Sequence, residues 1–357
     1  MSQLHTPLQI GSVQLPNRIF MAPLTRMRAF EQRSVGDLQV EHYRQRATAG
    51  LILTEATSVC PMGVGYPNTP GIWSAQQVAG WKRVTDAVHA AGGHIAVQLW
   101  HVGRISDPEL LDGQLPVAPS AIAAEGDVSV LRPKRPYAVP RALETAEIAG
   151  IVQDFVQAAR NAKEAGFDFI EVHAANGYLF DQFLHEGSNQ RTDQYGGSIE
   201  NRARFLLETV DALLKEWPAE RIGVHLNPMS NTHSMSDSNP VALFTYVAEQ
   251  LQARKLGFIF SREELKDGVL PIGQHMRQVF KGVFIANDSF TAEQAQAVVA
   301  SGAADAVAFG RAFIANPDLP ERIAKGAAWN ELNASTIYSP DATGYNDYPT
   351  LEQLQAK

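Results

Sequence analysis

The stretch FDFIEVHAANGYLFDQF, residues 167–183, decides the fold. Its first half reads as a strand buried on both faces. Phe167, Phe169, Ile170 and Val172 are apolar, and only Asp168 and Glu171 interrupt them. His173, Asn176 and Tyr178 then crowd the strand's end. An imidazole, an amide and a phenol placed together there suggest a strand that delivers side chains to a site.

Seven other short apolar runs repeat the pattern. NRIFMAP (from Asn17), LILTEATSV (from Leu51) and HIAVQLWH (from His94) come before it. IGVHLNP (from Ile222), GFIFSR (from Gly257), GVFIAND (from Gly282) and AVAFGRAF (from Ala306) come after. Segments of helical period separate them. Ile148, Ile151, Val152, Phe155 and Ala159 share one face, with Thr145 as the expected N-cap and Glu147 in the first turn. Phe205, Leu206, Val210, Leu213 and Leu214 form a second apolar face, stopped by Pro218. Thr291 and Gln294 fit a capping box. Strand–helix alternation implies a parallel sheet, and eight units imply a closed (β/α)8 TIM barrel. A doubly wound open sheet is the alternative, but no Gly-x-Gly-x-x-Gly follows an early strand. LQIGSVQLPNR reads as an N-terminal hairpin plugging the barrel, and a Pro-rich excursion after the third strand, residues 105–141, as a lid or pocket wall. With no convincing linker, 1–357 reads as a single domain.

Composition narrows the function. The 357 residues are 45% hydrophobic and 19% charged, with net charge −8 and no long basic block. That argues against nucleic acid and anionic membranes as main partners. No apolar run reaches the roughly 18 to 20 residues of a membrane span, and the N-terminus lacks a secretory pattern. One cysteine, Cys60, allows no internal disulfide and holds no zinc or iron–sulfur cluster alone. The expectation is a cytoplasmic protein acting on small molecules, with no obligate protein partner and no metal.

Active sites of such barrels lie at the C-terminal strand ends. Polar groups stand there on nearly every strand: Thr25 and Arg26, Glu55 and Thr57, Gln98 and His101, His173 to Tyr178, His225 and Asn227, Asn287 and Asp288, then Arg311. His173 and Asn176 supply two donors that could meet one oxygen, an electrophile-activating arrangement. Tyr178 could deliver a proton. Each has a blander reading, as a satisfied core histidine, a buried Trp100 or an ordinary helix-start charge at Arg311. Gly310 and Arg311 could equally face a phosphate.

MAPLTRMR (from Met21), QLWHVGR (from Gln98), HAANGYLFDQF (from His173), NQRTDQYGGSIENR (from Asn189), AFGRAFIANPDLP (from Ala308) and GYNDYP (from Gly344) resemble the old yellow enzyme family. The resemblance covers almost the whole chain. It is strongest to bacterial xenobiotic, N-ethylmaleimide and nitrate-ester reductases. It implies a bound FMN reduced by NADPH (preferred) or NADH, then reoxidised by electron-poor alkenes such as enones, maleimides and nitroalkenes, and by nitrate esters or nitroaromatics. By the same resemblance, His173 and Asn176 hold the substrate's oxygen and Tyr178 protonates its α-carbon. Pro23, Leu24, Thr25, Ala56, Gln98 and His225 would contact the flavin, Thr25 near its C4 carbonyl. Arg311 and backbone near Asn287, Asp288 and Gly310 would hold the phosphate. Tyr66, Trp100 and Tyr345 match pocket-lining aromatics. The QRTDQYGG segment would buttress the fourth loop, and residues 230–239 would shape substrate preference.

Two departures stand out. Many members carry arginine where this chain has His225, beside the flavin N1 and C2 carbonyl. The expectation is weaker stabilisation of reduced flavin, or a His225 pKa raised by that anion. IANDSF also lacks the glycine that some relatives place near the phosphate, so Asp288 is expected to turn its side chain away. Competing readings are a flavin-free barrel lyase or aldolase, which lacks a strand-end lysine, and a non-catalytic flavin- or phenol-binding protein.

Overall fold

The computed structural model describes residues 3–128 and 130–356. Eight strands form the barrel: Ile19–Met21, Ile52–Leu53, Ile95–Trp100, Phe169–Ala174, Ile222–Leu226, Phe258–Arg262, Val283–Asn287 and Ala306–Phe309. Every neighbouring pair is parallel. The first strand pairs with the eighth and with the second, and the second with the third, so the ring closes. That closure removes the open-sheet alternative. All eight apolar runs are strands, although the second is split and its continuation, Thr57–Ser58, runs along the third.

Alternation along each strand sorts the side chains. In the fourth, Ile170, Val172 and Ala174 face the surrounding helices. Phe169 enters the barrel interior with Phe20, Ala96, Phe258, Phe260 and Ile285. Glu171 and His173 share its parity and rise above it toward the C-terminal end. The fifth strand repeats this: Ile222, Val224 and Leu226 face outward, while Gly223 and His225 have the inward parity. A Cβ on Gly223 would lie 2.0 Å from the Phe258 ring, so glycine is what lets that ring cross the barrel.

The hairpin, Leu8–Ile10 against Val13–Leu15, plugs the barrel as expected. Its Leu8, Ile10 and Leu15 join the interior cluster. Helix Thr145–Glu164 buries the predicted face, but its N-cap is Glu144. The Glu147 carboxylate accepts from the Glu144 N–H at 2.7 Å, while the Thr145 hydroxyl bonds Asp193 at 2.6 Å. Longer-range bonding thus overrode the expected cap. The Thr291–Gln294 capping box forms as read, with bonds of 3.2 and 2.9 Å.

The excursion after the third strand is a wall. Its strand Val117–Ala118 pairs with Arg141–Ala142. Ile105, Ala124, Val128, Leu131 and Tyr137 pack with Ala56, Trp100 and Val102, and Tyr66 and Tyr178 lie against them. Among the described residues no helix is long and apolar enough to cross a membrane.

Candidate active site

The crowding of His173, Asn176 and Tyr178 has a local cause. After Ala174 the backbone turns through two left-handed residues, Asn176 at φ 58° and Gly177 at φ 77°. Asparagine tolerates that region, and glycine is required beside it, because a Cβ there would meet His233 at 2.7 Å. The Asp181 carboxylate accepts from the Gly177 N–H at 2.8 Å, and helix Leu179–Leu184 follows. The Gln182 amide donates to the carbonyls of Gly177 and Val102, tying the turn to the third loop. One tight turn therefore brings His173, Asn176 and Tyr178 to the same small pocket.

That pocket, about 80 Å³, is lined by Pro23, Thr25, Ala56, Gln98, Trp100, His173, Asn176, Tyr178 and His225. A larger cavity of about 590 Å³ shares Pro23, Asn176 and His225 with it. It continues past Leu24, Asn287, Asp288, Gly310 and Arg311. The Tyr178 hydroxyl is 2.9 Å from that of Tyr66, and its ring stands edge-on to Trp100 and His173 at 5.0 Å. Trp100 is fully buried and Tyr66 stacks on it at 5.4 Å.

Burial sets the protonation states. It pushes His173 down to about 3, helped by the Arg262 charge. His225 is likewise pushed well below its ordinary value by burial, then by His173 and Arg262. The two rings stack at 4.9 Å as neutral imidazoles. Burial raises the Tyr178 phenol, keeping it protonated. The Gln98 amide nitrogen lies 2.7 Å from Glu171 and 3.0 Å from His225 Nδ1. In this orientation Nδ1 accepts, so His225 carries its proton on Nε2, which is buried without a partner.

Three placements differ from the reading of the sequence. Tyr345 does not line the cavity. It is fully buried, stacked on His42 at 3.8 Å and covered by the guanidinium groups of Arg28 and Arg26 at 4.3 and 4.7 Å. These arginines hold carbonyls of residues 336–344, so Tyr345 anchors the C-terminal segment. Asp288 lines the cavity and lies 3.5 Å from Arg262 rather than turning away alone. Its φ is 141°, a backbone conformation that glycine favours. Arg262, which no motif singles out, also lines the cavity. It ends the sixth strand in the inward parity of Phe258 and Phe260, a signal that FIFSR carries.

At the start of QRTDQYGG, Gln190 Nε2 donates to the Glu186 carbonyl, and Asn189 just before it to those of Phe183 and Tyr195; Arg191 instead braces the excursion side through the carbonyls of Pro119 and Leu143.

Comparison with known proteins decides the family. A profile described as "NADH:flavin oxidoreductase / NADH oxidase family" matches residues 3–330. The chain belongs to the old yellow enzyme family of flavin oxidoreductases. A solved structure of morphinone reductase in complex with tetrahydroNAD superposes with TM-score 0.93 at 52% identity, covering 98% of this chain and 97% of that one. The old yellow enzyme homologue from Zymomonas mobilis gives 0.94 at 42%, covering 98% and 99%. A probable flavin mononucleotide-dependent alkene reductase from Leishmania infantum is 44% identical over 352 residues, 97% of this chain and 96% of that protein.

The residues fit this family's cofactor, FMN. The 590 Å³ cavity is of ligand size. The buried His225 N–H lacks a partner, and Arg311 is among the residues lining the cavity. A buried N–H and a cavity-lining cation are chemically suited to a polar ring and an anionic phosphate.

Proposed function

We propose that this flavin oxidoreductase is an alkene reductase that uses NAD(P)H, with NADPH preferred, on enones, maleimides and nitroalkenes, and also on nitrate esters or nitroaromatics. The observation that carries the reading is the convergence of Asn176, His173 and Tyr178 on one pocket bordering the FMN-sized cavity. FMN, when bound, supplies the hydride that it takes from a nicotinamide and passes to the alkene's β-carbon. Gln98, His225 and Thr25 would border its ring, and Pro23, Leu24 and Ala56 pack it. Arg311, with backbone at Gly310, Asn287 and Asp288, would face its phosphate.

The chain's own groups do the rest. Asn176 Oδ1 already accepts from Asn227 at 2.6 Å and from Arg262 at 3.2 Å, which leaves its Nδ2 for a ligand oxygen. A neutral His173 offers one further N–H. Together they stabilise negative charge growing on a carbonyl or nitro oxygen, and losing one such donor typically costs about 3 kcal/mol of barrier. Tyr178, held protonated and 2.9 Å from Tyr66, gives its proton to the α-carbon. The excursion wall excludes water from this step.

The test is an anaerobic visible spectrum during additions of NADPH or NADH, then 2-cyclohexenone. Flavin bands that bleach with nicotinamide and return with enone are expected. A protein that stays colourless after reconstitution with FMN contradicts the reading. Faster bleaching with NADPH than with NADH is the expected order.

A further inference from the structure

We propose that Arg262 is a positioning residue of the oxygen clamp: bonded to Asn176 Oδ1, its guanidinium fixes the amide's orientation and polarises the Asn176 N–H toward the ligand oxygen. The inference rests on the alkene-reductase reading of the same pocket.

Two donors converge on one oxygen. Asn227 Nδ2 lies 2.6 Å and Arg262 Nη1 3.2 Å from Asn176 Oδ1. An amide whose carbonyl is held twice cannot flip without leaving both donors unpaired, so Nδ2 is committed to the pocket. The second contact is charge-assisted. A cation on the carbonyl side draws electron density through the amide and strengthens the N–H on the other side.

Charge makes the contact matter. His173 and His225 are neutral, and the acid paired with Arg262, Asp288, meets its Nε at 3.5 Å while Nη1 meets Asn176. Arginine keeps its proton at any working pH. It is also the arginine close enough to disfavour protonation of both imidazoles. Arg262 thus brings to the sixth strand a fixed positive charge beside His225 on the fifth. A mere surface partner for Asp288 would not need the contact to Asn176.

The test uses the FMN-loaded protein with p-nitrophenol, whose oxygen mimics the charged one and whose ionised form absorbs visibly. At a pH where the free probe is half ionised, the bound probe should be mostly phenolate in the wild type. In Arg262→Gln the phenolate fraction should fall and binding should weaken by about tenfold. FMN affinity, read by fluorescence quenching, should be unchanged. Arg262→Lys should restore part of the phenolate signal, and it serves as the readout if the glutamine variant fails to fold. A glutamine variant that ionises the probe as the wild type does overturns the inference. So does one that loses FMN together with the probe, which would make Arg262 a cofactor or folding residue. A wild type that does not favour the phenolate defeats the clamp reading itself, and the inference falls with it.

Discussion

Asp288 shows how a single residue can hold strain where ligand is expected. Its φ of 141° is comfortable for glycine and strained for aspartate by about 1–3 kcal/mol. Its contact with Arg262, half-exposed at 3.5 Å, returns at most about 1 kcal/mol. Replacement should therefore invert the usual ranking of small residues. Asp288→Gly is expected to be more stable than Asp288→Ala, by about 1 kcal/mol or more in unfolding free energy, because both lose the ion pair and only alanine keeps the strained Cβ. Glycine should also tighten FMN, since a carboxylate leaves the cavity that holds Arg311. Paired chemical denaturation of the two variants checks the order, and an alanine variant that is the more stable would mean the backbone is not strained. That strain could not be read from IANDSF alone, because a missing glycine says nothing of whether the backbone moved or the residue endured.

Strand parity is the element-scale rule that positions the site, and it explains what could be read in advance. All eight strands were visible as short apolar runs because burial on both faces leaves few polar interruptions. His173, Asn176 and Tyr178 were visible because they break that rule together. Arg262 is legible by the same parity, since it ends FIFSR two residues after the inward-facing Phe260. Tyr345 differs for another reason: GYNDYP says nothing of which neighbour its ring meets, and two buried arginines, Arg26 and Arg28, cover that ring. Gly223 tests the parity argument directly. A methyl there would stand 2.0 Å from the Phe258 ring inside the barrel. Gly223→Ala should lower stability by about 1–3 kcal/mol through overpacking. Adding Phe258→Leu should recover part of the loss, because a smaller side chain frees the space. Thermal melts of the single and double variants check this, and simple additivity would show that the two residues do not compete for the volume.

Across the whole molecule, the barrel interior carries a pH liability at its centre. Glu171 is fully buried with one oxygen on Gln98 and the other unpartnered, and burial pushes its carboxyl up to about 8. Glu55, raised to about 7 by burial, is held back by the Arg26 backbone and the charges of Arg26 and Arg28. Both folded-state values lie above the ordinary carboxyl value, so the folded protein binds these protons more tightly than the unfolded chain. The stability they contribute is therefore complete below about pH 4.5 and is lost as pH rises through about 7 to 8, at about 1.4 kcal/mol for each pKa unit. Glu171 should dominate because no cation offsets it. Glu171→Gln keeps the shape and removes the titration, so it should flatten the decline between about pH 5 and about pH 9 without abolishing it, Glu55 supplying the remainder. Unfolding free energies across that range, measured on wild type and variant side by side, check the slope. Parallel curves would mean that water or an unseen donor reaches Glu171. A flattened curve would instead assign the barrel's alkaline instability to the carboxylate that holds Gln98, and through it His225, in place.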